Sequence, residues 1–184
     1  MKYFLFKSQR LGFRNWMNED LHEFAKLNAD SEVMAHFPEI LSKKETKAFI
    51  QRLQLHFDEN SYNYFAIEFL ETGEFIGFIG LALQEYESEF NPATDIGWRL
   101  KKSSWGKGYA TEGAKRCLNY AFNVLKLESV ISICTENNSN SENVMIKIGM
   151  VKKGEFKHSR LKLYPAFEKC IWYEITKDIW QNNN

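Results

Sequence analysis

Hydrophobic positions change period several times along the chain, and the changes predict alternating strands and helices. Leu11 to Trp16 reads as a first strand, and Asn18 stands where a cap belongs for a helix whose buried stripe is Leu21, Phe24, Ala25 and Leu27. Ser42-Lys43-Lys44-Glu45 has the form of a capping box, followed at helical spacing by Phe49, Ile50, Leu53 and Phe57. Tyr64 to Phe69 and Phe75 to Leu81 are aromatic and β-branched runs on either side of Glu71-Thr72-Gly73-Glu74, the mark of an antiparallel hairpin. Thr94 to Leu100 adds a strand beside them.

Beyond that strand the period becomes helical again. Ala110, Ala114, Cys117, Leu118, Ala121, Phe122 and Leu125 share one face of a helix of about four turns. Ser129 to Thr135 reads as a buried strand. Ser141 to Ile148 reads as a short helix with Val144, Met145 and Ile148 inward and Gly149 in place for a left-handed cap. Met150 to Phe156 and Lys169 to Ile175 complete the strands. The succession of strand, helix and strand over residues 94 to 135 predicts a parallel crossover within a mixed sheet. The expected fold class is α+β, with helices on both faces of the sheet.

Length and composition narrow this picture. The 184 residues, 44% of them hydrophobic, suffice for one sizeable core, and no repeat or Pro- or Ser-rich linker marks a boundary, so one domain is expected over 1–184. Lys and Arg total 24 and Asp and Glu total 24, which leaves no net field to draw the chain to nucleic acid or anionic lipid. Cys117, Cys134 and Cys170 are far apart and lack companions at metal-ligand spacing, so they read as reduced, buried residues and no metal is expected. The opening Met1 to Lys7 is too short for a secretory signal, and no stretch approaches the roughly 20 apolar residues that span a bilayer. The expectation is a cytoplasmic protein, a monomer or a homodimer.

The segment between the strand ending at Leu100 and the helix beginning near Ala110 carries the first chemical signal: Trp105-Gly106-Lys107-Gly108-Tyr109-Ala110-Thr111. Two glycines let a backbone approach a ligand closely, and the unpaired first amides of a helix, with its dipole, favour a phosphate or pyrophosphate. The same residues also fit a tight turn whose amides bind water. A third glycine at dinucleotide-binding spacing and a G-K-[ST] are both missing, so those two nucleotide motifs do not apply.

The segment resembles the central [QR]-x-x-G-x-[GA] motif of the GNAT superfamily of N-acetyltransferases. Gly108 and Ala110 match its small positions, while Trp105 replaces the Gln or Arg at its head. Together with Asp95-Ile96-Gly97-Trp98-Arg99-Leu100, this string is similar to the branch that modifies ribosomal-protein N-termini, where Trp is common there. Glu136-Asn137-Asn138-Ser139-Asn140-Ser141 and Lys147-Ile148-Gly149-Met150 resemble a second segment of that branch, and the likeness runs from about residue 10 to 176. It implies a splayed mixed sheet of six or seven strands flanked by helices. It also implies acetyl coenzyme A as cosubstrate, bound by Trp98, Arg99 and Leu100, by residues 105–111, and by Asn138 and Ser141. The implied reaction moves an acetyl group to a primary amine, with a protein N-terminal α-amine among the acceptors.

Such an amine must be neutral to attack. At pH 7 this costs a lysine-like amine up to about 4–5 kcal/mol and an α-amine, with its lower reference pKa, much less. A proton acceptor is therefore needed. Asp95, at the start of the implied cofactor strand, is the leading candidate, against an ordinary strand-end aspartate. Strand alternation puts Asp95, Gly97 and Arg99 on one face, so Arg99 is expected to hold Asp95 ionised. His158 is the second candidate by its reference pKa, with Glu155 and Glu168 behind it. Ser141 matches the serine that the family places near the cofactor sulfur, where it would donate to the thiolate; its plain alternative is a helix cap. Asn138 is expected on the pantetheine amides, or else as a turn residue. Two other functions stay open: acetylation of a small-molecule amine such as an antibiotic, a polyamine or an amino-acid-like toxin, and a non-catalytic acetyl coenzyme A-binding module. An RNA-binding role lacks a basic stripe.

Overall fold

The structure is a computed structural model that describes residues 4–182. Residues 1–3 and 183–184, the ends of the expected 1–184 domain, lie outside the described residues. One mixed sheet of eight strands carries the fold, in the order β1-β2-β3-β4-β5-β6-β8-β7. The strands are β1 (Phe6–Lys7), β2 (Leu11–Arg14), β3 (Tyr64–Phe69), β4 (Phe75–Gln84), β5 (Ala93–Leu100), β6 (Ser129–Thr135), β7 (Val151–Lys157) and β8 (Lys169–Thr176). The helices are α1 (Asp20–Ala29), α2 (Lys43–Asn60), α3 (Tyr109–Asn123), α4 (Ser139–Lys147), α5 (Pro165–Glu168) and α6 (Lys177–Asn182). Seven strands match expectation. The eighth, β1, is two residues long and owes its existence to pairing with β2 through Phe6 and Phe13, too short a run to show a period of its own.

Helices cover both faces. Phe24 and Leu27 of α1 and Ile50 and Leu53 of α2 pack with Trp16, Ala66 and Phe78 on one face. Ala114, Cys117, Leu118, Ala121 and Phe122 of α3 pack with Leu11, Phe65, Ile67, Ile79 and Ile96 on the other. A bulge in β4 opposite Ile67 and Glu68 reconciles the two layers. It lets Phe75 and Phe78 face α1 and α2 while Ile76 and Ile79 face α3. Gly77 permits it: its φ is 130°, and a side chain there would run into the Arg99 carbonyl of β5.

Helix α2 has its capping box, with Ser42 Oγ accepting from the Glu45 N–H at 3.2 Å. Helix α1 corrects the expectation for Asn18. Its N-cap is Glu19, which makes no side-chain cap bond. The helix is anchored instead by Asp20, which accepts two hydrogen bonds from Arg14, each 2.7 Å, and one from the Met17 N–H at 2.8 Å. Arg14 also donates to Glu68 from Nε and Nη2. All three side chains are buried. Sequence reading missed this cluster because Glu68 lies 54 residues from Arg14, on the neighbouring strand β3.

The three cysteines are free and buried, and burial pushes their thiols up, Cys134 to about 12 and Cys170 to about 11. Among the described residues no helix is long and apolar enough to cross a membrane, and no cluster of three or more His, Cys, Asp or Glu is placed to hold a metal ion.

Replacing Arg14 strands two carboxylates in the core. Arg14→Met is expected to lower unfolding free energy by about 3–5 kcal/mol, whereas Lys26→Ala, which breaks an exposed pair with Glu23, is expected to cost less than about 0.5 kcal/mol. Urea unfolding of the two variants measures the contrast.

Candidate functional site

The site forms where the sheet divides. Strand β5 pairs with β4 along its whole length, from Ala93 opposite Gln84 to Leu100 opposite Gly77. On its other edge it pairs in parallel with β6 at one position, Asp95 opposite Ile131. The Ser132 hydroxyl donates to the Ile96 carbonyl at 2.8 Å, and beyond that bond the two strands part. From Gly97 to Leu100 the edge of β5 facing β6 has no strand partner, which leaves a wedge suited to a ligand that pairs as an added strand would.

Two cavities occupy the wedge. The larger, of about 590 Å³, runs from Trp98, Arg99 and Leu100 past Trp105, Gly106, Gly108, Tyr109, Ala110 and Thr111 to α4. The smaller, of about 380 Å³, lies toward α2 and the segments after β4 and β7, and includes Asp95, Tyr64, Gln84, Tyr86 and His158. Both are lined by Trp98, Arg99, Asn138 and Ser141, so they meet at one place.

The loop before α3 is shaped for an anion. Gly106 and Gly108 have φ of 71° and 78°, in the left-handed region, and a Cβ on Gly106 would meet nothing within 4 Å. Gly108 is the N-cap of α3, with no side chain satisfying the first amides, which therefore open on the larger cavity. Glu112 in the first turn would oppose an anion there, but its carboxylate is turned away to Ser8 at 2.7 Å and Arg10 at 2.7 and 2.8 Å. Trp105 donates from Nε1 to the Leu100 carbonyl at 2.9 Å and so ties the loop to the end of β5. Lys107 is exposed and does not line the cavity.

At the head of α4 the cap falls to Asn138 and not to Ser141. Asn138 is the N-cap, its Oδ1 accepting the Ser141 N–H at 3.1 Å. Ser141 lies inside the first turn, lends only this backbone group to the cap, and lines both cavities.

Asp95 is buried, and burial pushes its carboxyl up from 3.8 to about 6, against the opposing effect of hydrogen bonds from Tyr64, Gln84 and the Ala82 backbone. The Tyr64 phenol donates to Oδ1 at 2.7 Å and lies 2.9 Å from Oδ2. Gln84 Nε2 donates to the Tyr64 oxygen at 3.3 Å. Alternation along β5 does put Asp95 and Arg99 on one face, but Arg99 does not hold Asp95. Its Nη1 donates to Asn28 Oδ1 at 2.7 Å, and its guanidinium lies over the Phe37 ring at 4.1 Å.

His158 lines the smaller cavity, stacked on Tyr86 with ring centres 4.2 Å apart. Its Nδ1 accepts the Arg160 N–H at 3.2 Å, and burial and Arg160 lower its pKa. With Nδ1 so occupied, the neutral ring carries its proton on Nε2 and has no free nitrogen to accept another. Glu155 and Glu168 pair with Lys152 and Lys157 and line neither cavity. Tyr64 and Asn28 were missed from the sequence because Tyr64 reads there as one more aromatic strand residue and Asn28 as a helix-end asparagine.

Comparison with known proteins agrees with this architecture. Residues 10–151 match the model of the acetyltransferase (GNAT) domain. The uncharacterized N-acetyltransferase YnaD of Bacillus subtilis is 30% identical over 174 residues, covering 94% of this chain and 97% of that protein. The spermidine N-acetyltransferase of Vibrio cholerae, solved with CoA and spermine, superposes with a TM-score of 0.73 at 19% identity, over 94% of this chain and 99% of that one. The ribosomal-protein-S5-alanine acetyltransferase of Vibrio fischeri does so with a TM-score of 0.74 at 20% identity, over 95% and 97%. With the family model spanning residues 10–151, the chain belongs to the GNAT acetyltransferases and uses acetyl coenzyme A as its cosubstrate.

Proposed function

We propose that acetyl coenzyme A lies along the open edge of β5 with its thioester where the two cavities meet, and that a primary amine reaches it through the smaller one. The observation that carries this reading is the junction itself. Trp98, Arg99, Asn138 and Ser141 line both cavities, and Asp95 is the only acid lining the smaller one among the described residues. The amides that begin α3, with Gly106 and Gly108, take the pyrophosphate. The backbone of Trp98 to Leu100 receives the pantetheine, and an amide of this strand polarises the thioester carbonyl.

Asp95 takes the proton from the amine. Its pKa near 6 leaves it mostly ionised at neutral pH yet more basic than an ordinary aspartate. The amine nitrogen then attacks the carbonyl carbon, the carbon–sulfur bond breaks, and coenzyme A leaves as a thiolate that the Ser141 hydroxyl faces as donor. Asn138 acts on the cofactor through the position of α4, since its own side chain is the cap. The acceptor is a primary amine, and the fold is shared by enzymes named for a polyamine and for a protein alanine. Decay to a non-catalytic module fits poorly with an aspartate held buried at a cost to the fold.

Asp95→Asn is expected to cut turnover by about 10²–10⁴ at neutral pH, with acetyl coenzyme A affinity little changed. In the parent, kcat/KM is expected to fall as pH drops through about 6. In the variant that limb disappears, and the rate partly recovers at high pH as more amine becomes neutral. A loss below about fivefold, or an acid limb that survives, would remove Asp95 from the role.

The same substitution tests the cost of holding the base. A carboxyl whose pKa is raised on folding binds its proton more tightly in the folded state, so folded stability falls as pH rises from 3.8 through about 6. Asp95→Asn is thus expected to raise stability at neutral pH by on the order of 3 kcal/mol. The gain should vanish below pH 3.8, the ordinary value of the carboxyl. Thermal unfolding of parent and variant across pH reads both limits.

Gly108→Val is expected to weaken acetyl coenzyme A binding severely, because a left-handed N-cap costs a β-branched residue about 1–2 kcal/mol and its side chain narrows the approach to the amides. Ser141→Ala is expected to lower kcat more than cofactor affinity, since the bond gains strength as charge develops on sulfur. Calorimetry for the first and steady-state kinetics for the second give the readings.

A further inference from the structure

Arg14 and Arg99 are both buried arginines on strands, and their surroundings differ. Arg14 is matched by two buried carboxylates. Arg99, at 8% exposure, has no carboxylate within 4.0 Å among the described residues, and its Nε is buried without a hydrogen-bond acceptor. What fixes it is neutral. Nη1 donates to Asn28 Oδ1, and Asn28 Nδ2 donates in turn to Thr46 Oγ1 at 3.2 Å, with Asn28 and Thr46 both fully buried. The guanidinium rests among Phe37, Phe78 and Phe49, whose ring centres lie 4.1, 5.4 and 5.9 Å away.

Rings and a neutral amide orient a cation without cancelling it. Cation–π contacts contribute about 0.5–2 kcal/mol, less than the several kcal/mol that desolvating an unpaired charge costs. Burial lowers the Arg99 pKa to about 10, so the group is still charged at neutral pH. The cavity shares the imbalance, since Arg99 and Arg160 line it against the single carboxylate of Asp95.

We propose that the acceptor amine carries a carboxylate and that Arg99 selects for it. This rests on the smaller cavity being the acceptor pocket. Arg99 supplies the counter-charge for the acceptor's anion while the amine lies by Asp95. Four residues along one strand face separate their Cα atoms by about 13 Å, so amine and carboxylate are several bonds apart. An α-amino acid, whose two groups share one carbon, is too short. An ω-amino acid or a peptide with an acidic side chain near its N-terminus separates the two groups by several bonds. A polyamine would bring further positive charge to Arg99.

The test uses the full chain with acetyl coenzyme A and reads thiol release. δ-Aminovalerate is compared with its carboxamide, C-terminally amidated alanyl-glutamate with alanyl-glutamine, and spermidine stands as the polycation. The acid of each pair is expected to win by about tenfold or more in kcat/KM, mainly through KM, and the preferred pair tells a small molecule from a peptide. Arg99→Gln is expected to erase the preference and Arg99→Lys to keep part of it. Asn28→Asp, which leaves Arg99 in place and pairs it internally, is expected to erase it as well, so the result does not hang on one variant folding. A preference for spermidine or the amides overturns the proposal, as does a preference that survives both Arg99→Gln and Asn28→Asp. A rise in acetyl coenzyme A KM in Arg99→Gln, with acceptor KM unchanged, would assign Arg99 to the cosubstrate and overturn it too. If calorimetry shows no acetyl coenzyme A binding, or no amine releases thiol, the acetyl-transfer reading itself falls and the proposal with it.

Discussion

Strand β5 cannot serve two neighbours along its whole length. It gives its full edge to β4, eight residues against eight, and meets β6 at Asp95 and Ile131 alone. The wedge between the two strands follows from that inequality. The backbone of Gly97 to Leu100 needs a partner that the sheet does not supply, α3 leaves from the far end of the same strand with its amides pointing into the gap, and α4 closes the opposite wall. A ligand that presents amides in the middle and phosphates at one end satisfies both sets of groups together. Trp105 holds the two in register by bonding the loop to the last carbonyl of β5.

Burial of charge divides the molecule into a part built for stability and a part built for chemistry. Around Arg14 the charged groups are partnered with one another: one guanidinium bonds two carboxylates, and short hydrogen bonds pin α1 to β2 and β3. Along β5 they are not. Asp95 is surrounded by a phenol, an amide side chain and a backbone N–H, with no cation, and its carboxyl rises accordingly. Arg99 has an amide and three rings and no anion. Two opposite charges on one strand face are each left without an ionic partner among the described residues, the arrangement in which perturbed groups gather at functional sites.

Much of this was legible in the chain. Periodicity located seven strands and four of the helices to within a few residues, because a buried face repeats every two or every 3.6 positions regardless of what it packs against. The glycine loop and the Asn138–Ser141 segment were legible as motifs, since a left-handed backbone and a helix start need particular residue types at adjacent positions. Strand alternation also correctly put Asp95 and Arg99 on one face.

Local pattern did not reach which groups those side chains meet. The sequence determined the elements, the glycine loop before α3 and the candidate base, because each depends on neighbours a few residues away. The tertiary structure alone decided that Asp20 and not Asn18 anchors α1, that Asn138 and not Ser141 caps α4, and that Tyr64 clamps Asp95. It alone separated Arg99 from Asp95 by seating it on Asn28, 71 residues away in the chain. Hydrogen bonds and charge compensation are set by distance in space, and a sheet whose strand order departs from chain order brings together residues that no sequence spacing connects.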